Sequence, residues 1–184
     1  MTFFDESFFR NYKTRITESQ LNSFSATESF SRRAHTDFDI FLSYNFADRS
    51  VVLGIYYYLR SKGYSVYVDF IIDPQLDRSI VTKETAQIIH DRLLHSKSLI
   101  YADSPNASLS KWMPWELGIV DGRTRKCAIL PVVSFPLQDK RRQEYLSVYP
   151  TITRSSLAMQ TDMIVELPEQ GKINPLPFNR FLGV

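Results

Sequence analysis

The sequence predicts an α/β fold with a doubly wound parallel sheet, and two patterns in its 184 residues support this. Four short, nearly continuous apolar runs, rich in β-branched and aromatic residues, alternate with helical patterns. Such runs are typical of strands covered on both faces of a parallel sheet. The runs lie about 30 residues apart, which is the spacing of βαβ units with right-handed crossovers.

The four predicted strands are the buried apolar runs themselves. In chain order they are residues 38–44 (FDIFLSY), 64–70 (YSVYVDF), 98–103 (SLIYAD) and 127–133 (CAILPVV). A fifth strand should follow them in a sheet of this type. We favour residues 163–167 (MIVEL) for it, with residues 147–152 (SVYPTI) as the rival.

Three helices are predicted between the strands, because apolar residues recur there every three or four positions. The recurring residues are Val52, Ile55 and Leu59, then Ala86, Ile89 and Leu93, and last Trp112, Trp115 and Ile119. We expect the third helix to begin near Ser110. Gly63 and Gly122 stand where the first and third helices should end, since glycine is favoured just past a helix.

The chain divides into three predicted parts. Residues 1–36 should form an N-terminal helical extension, with one or two short amphipathic helices packed against the domain. A polar linker (SRRAHTD, residues 31–37) should lead from it into the domain. The α/β domain should occupy residues 37–170. Residues 171–184 contain two prolines and no clear period, so we expect a tail that runs along the surface.

Composition argues against several classes of protein. The formal charge of +2 is too small to indicate a nucleic-acid partner. No stretch approaches about 18 consecutive apolar residues, so no membrane span is predicted. The N-terminal residues MTFFDESFF carry two acids where a secretory signal carries basic residues, and a single cysteine, Cys127, forms no intrachain disulfide. We therefore expect a cytoplasmic protein.

The motifs of common nucleotide and metal sites do not occur. The six glycines form neither GxGxxG nor a P-loop, which argues against a Rossmann dehydrogenase or a P-loop NTPase. His90 and His95 do not share a helical face, and we predict no metal site. A phospho-acceptor receiver domain would use Asp103, but it also needs an acidic pair after the first strand, where this sequence reads SYN.

Ligands of open α/β sheets gather at the carboxyl ends of the strands. Glu116 should stand over that edge if the third helix begins near Ser110. The other polar candidates at the edge are Ser43, Tyr44, Asn45, Asp69, Asp103 and Ser104.

Glu116 is the one acid in the apolar run of residues 110–118 (SKWMPWELG). Apolar neighbours lower the local dielectric and strengthen the attraction of a carboxylate for a cation, and a helix start favours its ionised form. Trp112, one turn earlier, can share its face and offer an aromatic wall. An acid in a first turn is also a common cap or dipole partner worth about 1 kcal/mol, and the nonapeptide alone favours that plainer interpretation.

Three segments in the right order resemble the TIR (Toll/interleukin-1 receptor) family. Residues 38–50 (FDIFLSYNFADRS) resemble its first box, and residues 63–70 (GYSVYVDF) its second strand, which leads into the BB loop. Residues 98–118 resemble the third strand, its turn and the SxWxxxE helix start. The resemblance covers about residues 37–135 and implies a flavodoxin-like sheet of five parallel strands.

The resemblance also implies a chemistry. In catalytic TIR domains the glutamate of SxWxxxE drives cleavage of the nicotinamide–ribose bond of NAD+, and it maps onto Glu116, with the family's tryptophan at Trp112. NAD+ is then the substrate, and no separate cofactor is implied. Ser43, Tyr44 and Asn45 correspond to the loop that approaches the nicotinamide–ribose end.

Other positions follow from the BB loop and the turns. Asp69 and Phe70 open the BB loop, which in the family helps to build a composite site between neighbouring TIR domains. Ser104 suits a ligand contact and turn capping equally well. We interpret three further loop residues as solvated charges; these are Asp73, Asp77 and Arg78.

We therefore expect a TIR NAD+ nucleosidase or cyclase that produces ADP-ribose or a cyclic ADP-ribose-type signal. No second sensor or effector domain is apparent, so the chain resembles bacterial immune TIR proteins, including the Thoeris type, whose product reaches a separate effector. The resemblance implies antiphage defence and self-association through TIR–TIR contacts. Two alternatives stay open: a TIR interaction module without chemistry, and an enzyme similar to nucleoside deoxyribosyltransferases, which use a glutamate on a related fold.

Overall fold

The computed structural model of the chain describes residues 2–33, 37–134, 143–154, 163–166 and 175–183. Within these residues one eight-stranded sheet is flanked by α-helices. The strands are β1 (Phe4–Asp5), β2 (Phe38–Ser43), β3 (Val66–Tyr67), β4 (Ser96–Asp103), β5 (Cys127–Val133), β6 (Thr151–Arg154), β7 (Met163–Glu166) and β8 (Pro175–Pro177). The helices are α1 (Glu6–Arg10), α2 (Glu18–Arg33), α3 (Arg49–Ser61), α4 (Asp69–Ile72), α5 (Lys83–Leu94), α6 (Met113–Thr124) and α7 (Phe178–Leu182).

The strand order confirms the predicted α/β fold with a doubly wound sheet. The order is β3-β2-β4-β5-β6-β7-β8, with β1 paired to β5. Every pair from β3 to β6 is parallel, whereas β7 and β8 are antiparallel. The chain leaves β2 towards β3 and returns to β4 on the other side of β2. The crevice where the direction of winding reverses therefore lies at the carboxyl ends of β2 and β4.

The fifth parallel strand is β6, so the choice of residues 163–167 for it is wrong. Ile129 of β5 pairs in parallel with Thr151, which belongs to the rival segment. The first residues of that rival form a 3₁₀ turn (Glu144–Val148). Met163–Glu166 is a strand, but it pairs antiparallel with β6 on the outside. A short apolar run indicates burial and does not indicate strand direction, which explains the error.

Several predicted boundaries also differ. β3 covers only two residues of the predicted run 64–70, because the chain turns into α4 at Asp69. α6 begins at Met113 rather than near Ser110, and it continues past Gly122 to a left-handed Arg125 with φ 53°. Gly63, with φ 93°, follows the end of α3, which confirms that helix end.

The N-terminal residues are part of the core. Phe4, Phe8 and Phe9 are buried, and Phe4 pairs with Val132 of β5. α1 lies against α3 at Gly54, where an added Cβ would stand 1.9 Å from the Phe9 carbonyl oxygen. α2 extends through three residues of the expected linker, and residues 34–36 lie outside the described part. The division into residues 1–36, 37–170 and 171–184 stays a prediction.

The described end of the chain does not run along the surface as expected. β8 pairs with β7, and α7 buries Phe178 and Leu182. This segment therefore extends the edge of the sheet and adds apolar residues to the core. Its prolines interrupt the regular spacing of apolar residues by which a strand or helix is predicted from sequence. No helix in the described residues is long and apolar enough to cross a membrane.

Candidate active site

The carboxyl edge of the sheet brings Ser43 and Glu116 together. Ser43 ends β2, and Glu116 lies in the first turn of α6. The Ser43 hydroxyl donates to Glu116 Oε2 across 2.5 Å, although the two residues are 73 positions apart. The backbone N–H of Glu116 donates to the Trp112 carbonyl at 2.9 Å, so Trp112 precedes it by one turn. The first turn of α6 therefore places the Glu116 backbone at this edge, and Ser43 orients its carboxylate.

Glu116 has no exposed surface, and its second partner is Arg78. The Arg78 Nη2 group donates to Glu116 Oε1, while Ser43 occupies the other oxygen. Burial raises the pKa of Glu116 above its ordinary value, and the Arg78 guanidinium and the Ser43 hydroxyl offset this only in part. A carboxylate in this environment depends on a positive neighbour to stay ionised.

Arg78 bridges two carboxylates. Its Nη1 donates to Asp69 Oδ2 at 2.8 Å, and its guanidinium carbon lies 5.9 Å from the Tyr44 ring centre and 5.6 Å from that of Trp112. Burial alone would lower the pKa of Arg78, but the carboxylates of Glu116 and Asp69 more than offset it, so its pKa is raised. Arg78 is therefore a cation at the centre of the site.

The interpretation of the loop charges as solvated is wrong for two of the three. The Arg78 side chain is only 11% exposed. Asp73 is buried as well. Arg92 pairs with both of its oxygens at 2.9 Å, and the Tyr67 hydroxyl donates to it at 3.0 Å. Asp77 is exposed, as predicted. Sequence reasoning missed Arg78 because a single basic residue in a loop carries no periodic signal.

Asp69 is fixed by three donors. Besides Arg78, the Tyr44 hydroxyl and the Phe70 backbone N–H donate to its carboxylate, the latter at 2.6 Å. Burial, with the Asp69 charge added, raises the pKa of Tyr44, so Tyr44 remains a protonated donor. The Phe70 ring packs edge-on against Tyr44 at 5.7 Å between ring centres. These predicted residues form one connected group around Arg78.

A cavity of about 470 Å³ opens beside this group. Tyr44, Asn45, Asp69, Arg78 and Trp112 contribute to its lining. Glu116 and Ser43 are not among the described residues that line it. The Trp112 Nε1 group donates to the Arg78 carbonyl at 3.1 Å, which fastens the loop to the start of α6.

Ser104 belongs to a neighbouring network and does not line the cavity. Its hydroxyl donates to the Asp48 carboxylate and accepts from the Asn106 backbone N–H at 3.2 Å. The Asn106 side chain donates to Asp48 at 2.6 Å, and the Asn45 side chain donates to the Asn106 carbonyl at 2.8 Å. Asp48 and Asn106, which sequence reasoning missed, thus join the loops after β2 and β4. Among the described residues, no group of three or more His, Cys, Asp or Glu could hold a metal ion.

Comparison with known proteins adds two relatives, although no family model matches the chain. A Bacillus cereus (strain MSX-D12) protein named "Probable 3' cyclic ADP-D-ribose synthase ThsB'" is 49% identical over 125 residues, which are 67% of this chain and 65% of that protein. The "Putative cyclic ADP-D-ribose synthase TIR2" of Cytobacillus dafuensis is 28% identical over 81 residues, or 44% of this chain and 21% of that protein. These relatives confirm the predicted resemblance to the TIR family. The chain matches less than two thirds of the length of either curated relative.

Proposed function

We propose that this TIR protein cleaves the nicotinamide–ribose bond of NAD+ and joins the freed ribose carbon within the same molecule, giving a cyclic ADP-ribose. Both relatives are named as cyclic ADP-D-ribose synthases. The observation that carries the proposal is the buried Glu116 carboxylate, held by Ser43 and a cation beside a cavity of about 470 Å³. Small-molecule sites commonly measure about 300–1,000 Å³.

The residue types suit this chemistry. Nicotinamide leaves the pyridinium as a neutral base and needs no proton, while positive charge develops on the ribose as an oxocarbenium ion. A fixed, ionised carboxylate in a dry site stabilises that charge, so Glu116 suffices without a second acid. Ser43 holds the carboxylate in place, and the rings of Tyr44 and Trp112 offer flat walls to a flat cationic ring.

The product depends on what attacks the ribose carbon. If a group of the same molecule attacks, a new bond closes the ring, any proton it carries is lost to solvent, and the product is NAD+ minus nicotinamide. If water attacks, the product is linear ADP-ribose, which contains one water more. The names of both relatives favour the cyclic product, because each is called a cyclic ADP-D-ribose synthase.

The wider role follows from the same resemblance. The product would act as a small-molecule signal for a separate effector in the cytoplasm, in antiphage defence of the Thoeris type. Activity would require self-association, with the BB loop of one copy completing the site of the next. Exposed apolar side chains at the cavity mouth, among them Phe46, Val81 and Leu109, are consistent with such a contact.

The test is to incubate the purified chain with NAD+ and to follow free nicotinamide and the mass of the nucleotide product. We expect nicotinamide and a product without the added water. No nicotinamide release, even from concentrated protein, would contradict the proposal and favour a TIR interaction module without chemistry. Release of a nucleobase from deoxynucleosides instead would indicate the deoxyribosyltransferase-like alternative.

A further inference from the structure

Arg78 stands between the cavity and Glu116. Arg78 contributes to the lining of the cavity, and its Nη2 group donates to Glu116, which is not among the described lining residues. Glu116 has no exposed surface, so a molecule in the cavity cannot touch its carboxylate while Arg78 stays in place. The carboxylate on which the proposed chemistry depends is already occupied by a cation of the chain itself.

The environment of the Arg78 side chain matches what a pyridinium ring requires. The guanidinium is a flat, delocalised cation near the Tyr44 and Trp112 rings, and it pairs with the carboxylates of Glu116 and Asp69. A pyridinium ring is also flat, carries a single delocalised charge, and is attracted by aromatic faces and carboxylates. We propose that Arg78 is an internal stand-in for the positively charged ring of the substrate, which must displace it before Glu116 can act.

This stand-in would make the site selective for charge. When Arg78 leaves, Glu116 and Asp69 remain as two buried acids without a counter-charge, which is costly in free energy. A cationic ring restores the balance, whereas a neutral ring of the same shape does not. The inference rests on the proposed function because it assigns the selected ring to that reaction.

The displacement requires movement of the side chain alone. Trp112 holds the Arg78 carbonyl, and the loop that carries Arg78 is anchored before it at Asp73, which is paired with Arg92. After it, Thr82 caps α5 by accepting from the Thr85 backbone N–H at 3.0 Å. The backbone therefore stays fixed while the guanidinium turns out through the cavity that it lines.

The test compares two small rings that differ in charge and carry no phosphate. Binding of 1-methylnicotinamide, a cation, and of neutral nicotinamide is measured by quenching of tryptophan fluorescence, since Trp112 lines the cavity. In Arg78→Gln the cation should bind about tenfold more tightly or better. A guanidinium that occupies the site about nine-tenths of the time weakens the apparent affinity of the wild type by that factor. The affinity for nicotinamide should stay the same.

The matched control is Arg10→Gln, which removes the same charge from a half-exposed side chain at the N-terminus. It should leave both affinities unchanged. Unchanged or weaker binding of the cation by Arg78→Gln would overturn the inference. An equal gain for both rings would overturn it as well, because it would indicate only a larger cavity.

A second variant covers the case in which Arg78→Gln does not fold. Arg78→Lys keeps a positive charge, but an ammonium cannot span both carboxylates with the paired donors of a guanidinium. It should bind the cation more tightly than the wild type does, and equal affinity would contradict the inference. Cleavage of NAD+ is followed separately. If the Arg78 variants bind the cation more tightly but the wild type does not cleave NAD+, Arg78 is the stand-in and the proposed reaction is refuted. If the wild type cleaves NAD+ but the variants bind the cation no more tightly, the reaction stands and the stand-in is refuted.

Discussion

Burial of the Glu116 carboxylate makes its ionised form costly to the fold. Its burial raises its pKa, and its neighbours compensate only in part. A folded-state pKa above the unfolded value means that the folded protein binds the proton more tightly. The stability that this group contributes is then fully present below the unfolded pKa and is lost as the pH rises through the folded pKa.

Glu116→Gln should therefore raise the melting temperature, and its advantage over the wild type should grow as the pH rises from about 4.5 towards neutrality. Glutamine keeps the shape and most hydrogen bonds but has no charge to bury. Thermal unfolding of both proteins over this pH range measures the difference. An advantage that shrinks as the pH rises would mean that pairing with Arg78 outweighs burial.

Ser43→Ala should lower kcat/KM for NAD+ by about ten- to a hundredfold, because a hydrogen bond to a charged group contributes about 1.5–3 kcal/mol. The change removes the donor that fixes Glu116 Oε2. The matched control is Ser98→Ala, which deletes another buried hydroxyl whose 2.7 Å bond goes to the Asp39 carbonyl. Steady-state kinetics and thermal unfolding separate the two. Equal loss of activity in both variants would argue against a positioning role for Ser43.

Site residues could be predicted from the sequence where they directly follow a predicted strand. Ser43, Tyr44 and Asp69 were predictable because the carboxyl edge of a parallel sheet gathers such positions. Arg78 was not, since its place depends on how a loop folds back over the edge. Asp48 and Asn106 were missed for the same reason.

The packing of α1 against α3 depends on one residue without a side chain. At Gly54 the Phe9 backbone approaches so closely that an added Cβ would lie 1.9 Å from its carbonyl oxygen. Backbone cannot yield there as a flexible side chain would. The N-terminal strand and helix are therefore fixed on the domain through α3.

Gly54→Ala should lower the free energy of unfolding by about 1–3 kcal/mol, which is the usual cost of overpacking. Gly122→Ala is the control, because Gly122 lies inside α6 with open space where its Cβ would be. That change should stabilise the protein by about 0.5–1 kcal/mol. Urea unfolding measures both. Equal stability of Gly54→Ala and the wild type would show that α1 is not held as described.

The sequence predicted whether each of these segments is a helix or a strand better than it predicted where the segment begins and ends. β2, β4 and β5 were expected almost residue for residue, because their runs are long and buried on both faces. β3 is shorter than its apolar run, because the chain turns into α4 at Asp69, before that run ends. α6 passes Gly122 because the left-handed residue that ends it is Arg125, which a glycine rule does not find.

For the whole molecule, the spacing of the strands predicted the fold class. It did not predict the antiparallel strands at the outer edge of the sheet. Spacing of about 30 residues fixes parallel neighbours through right-handed crossovers. β7 and β8 are short and antiparallel, and nothing in their composition reveals their partners. The N-terminal aromatic residues belong to the core because β1 pairs with β5 and α1 packs against α3.

If copies of the chain complete one another's sites, nicotinamide release per molecule should rise with protein concentration. Leu109→Ser, which removes a 75% exposed apolar side chain at the cavity mouth, should flatten that rise. Val148→Ser is the control, since Val148 is 67% exposed in the 3₁₀ turn before β6. A dilution series with light scattering tests this. Activity per molecule that is independent of concentration in the wild type would contradict it.

The most direct measurement of the central claim is nicotinamide release from NAD+ by the wild type, Glu116→Gln and Asp103→Asn. Asp103 is a similarly buried acid at the end of β4 and serves as the matched charge control. We predict that Glu116→Gln loses activity by about 100- to 1,000-fold, the effect of removing one fixed electrostatic group, while Asp103→Asn retains it. A folded Glu116→Gln that releases nicotinamide at the wild-type rate would contradict the account.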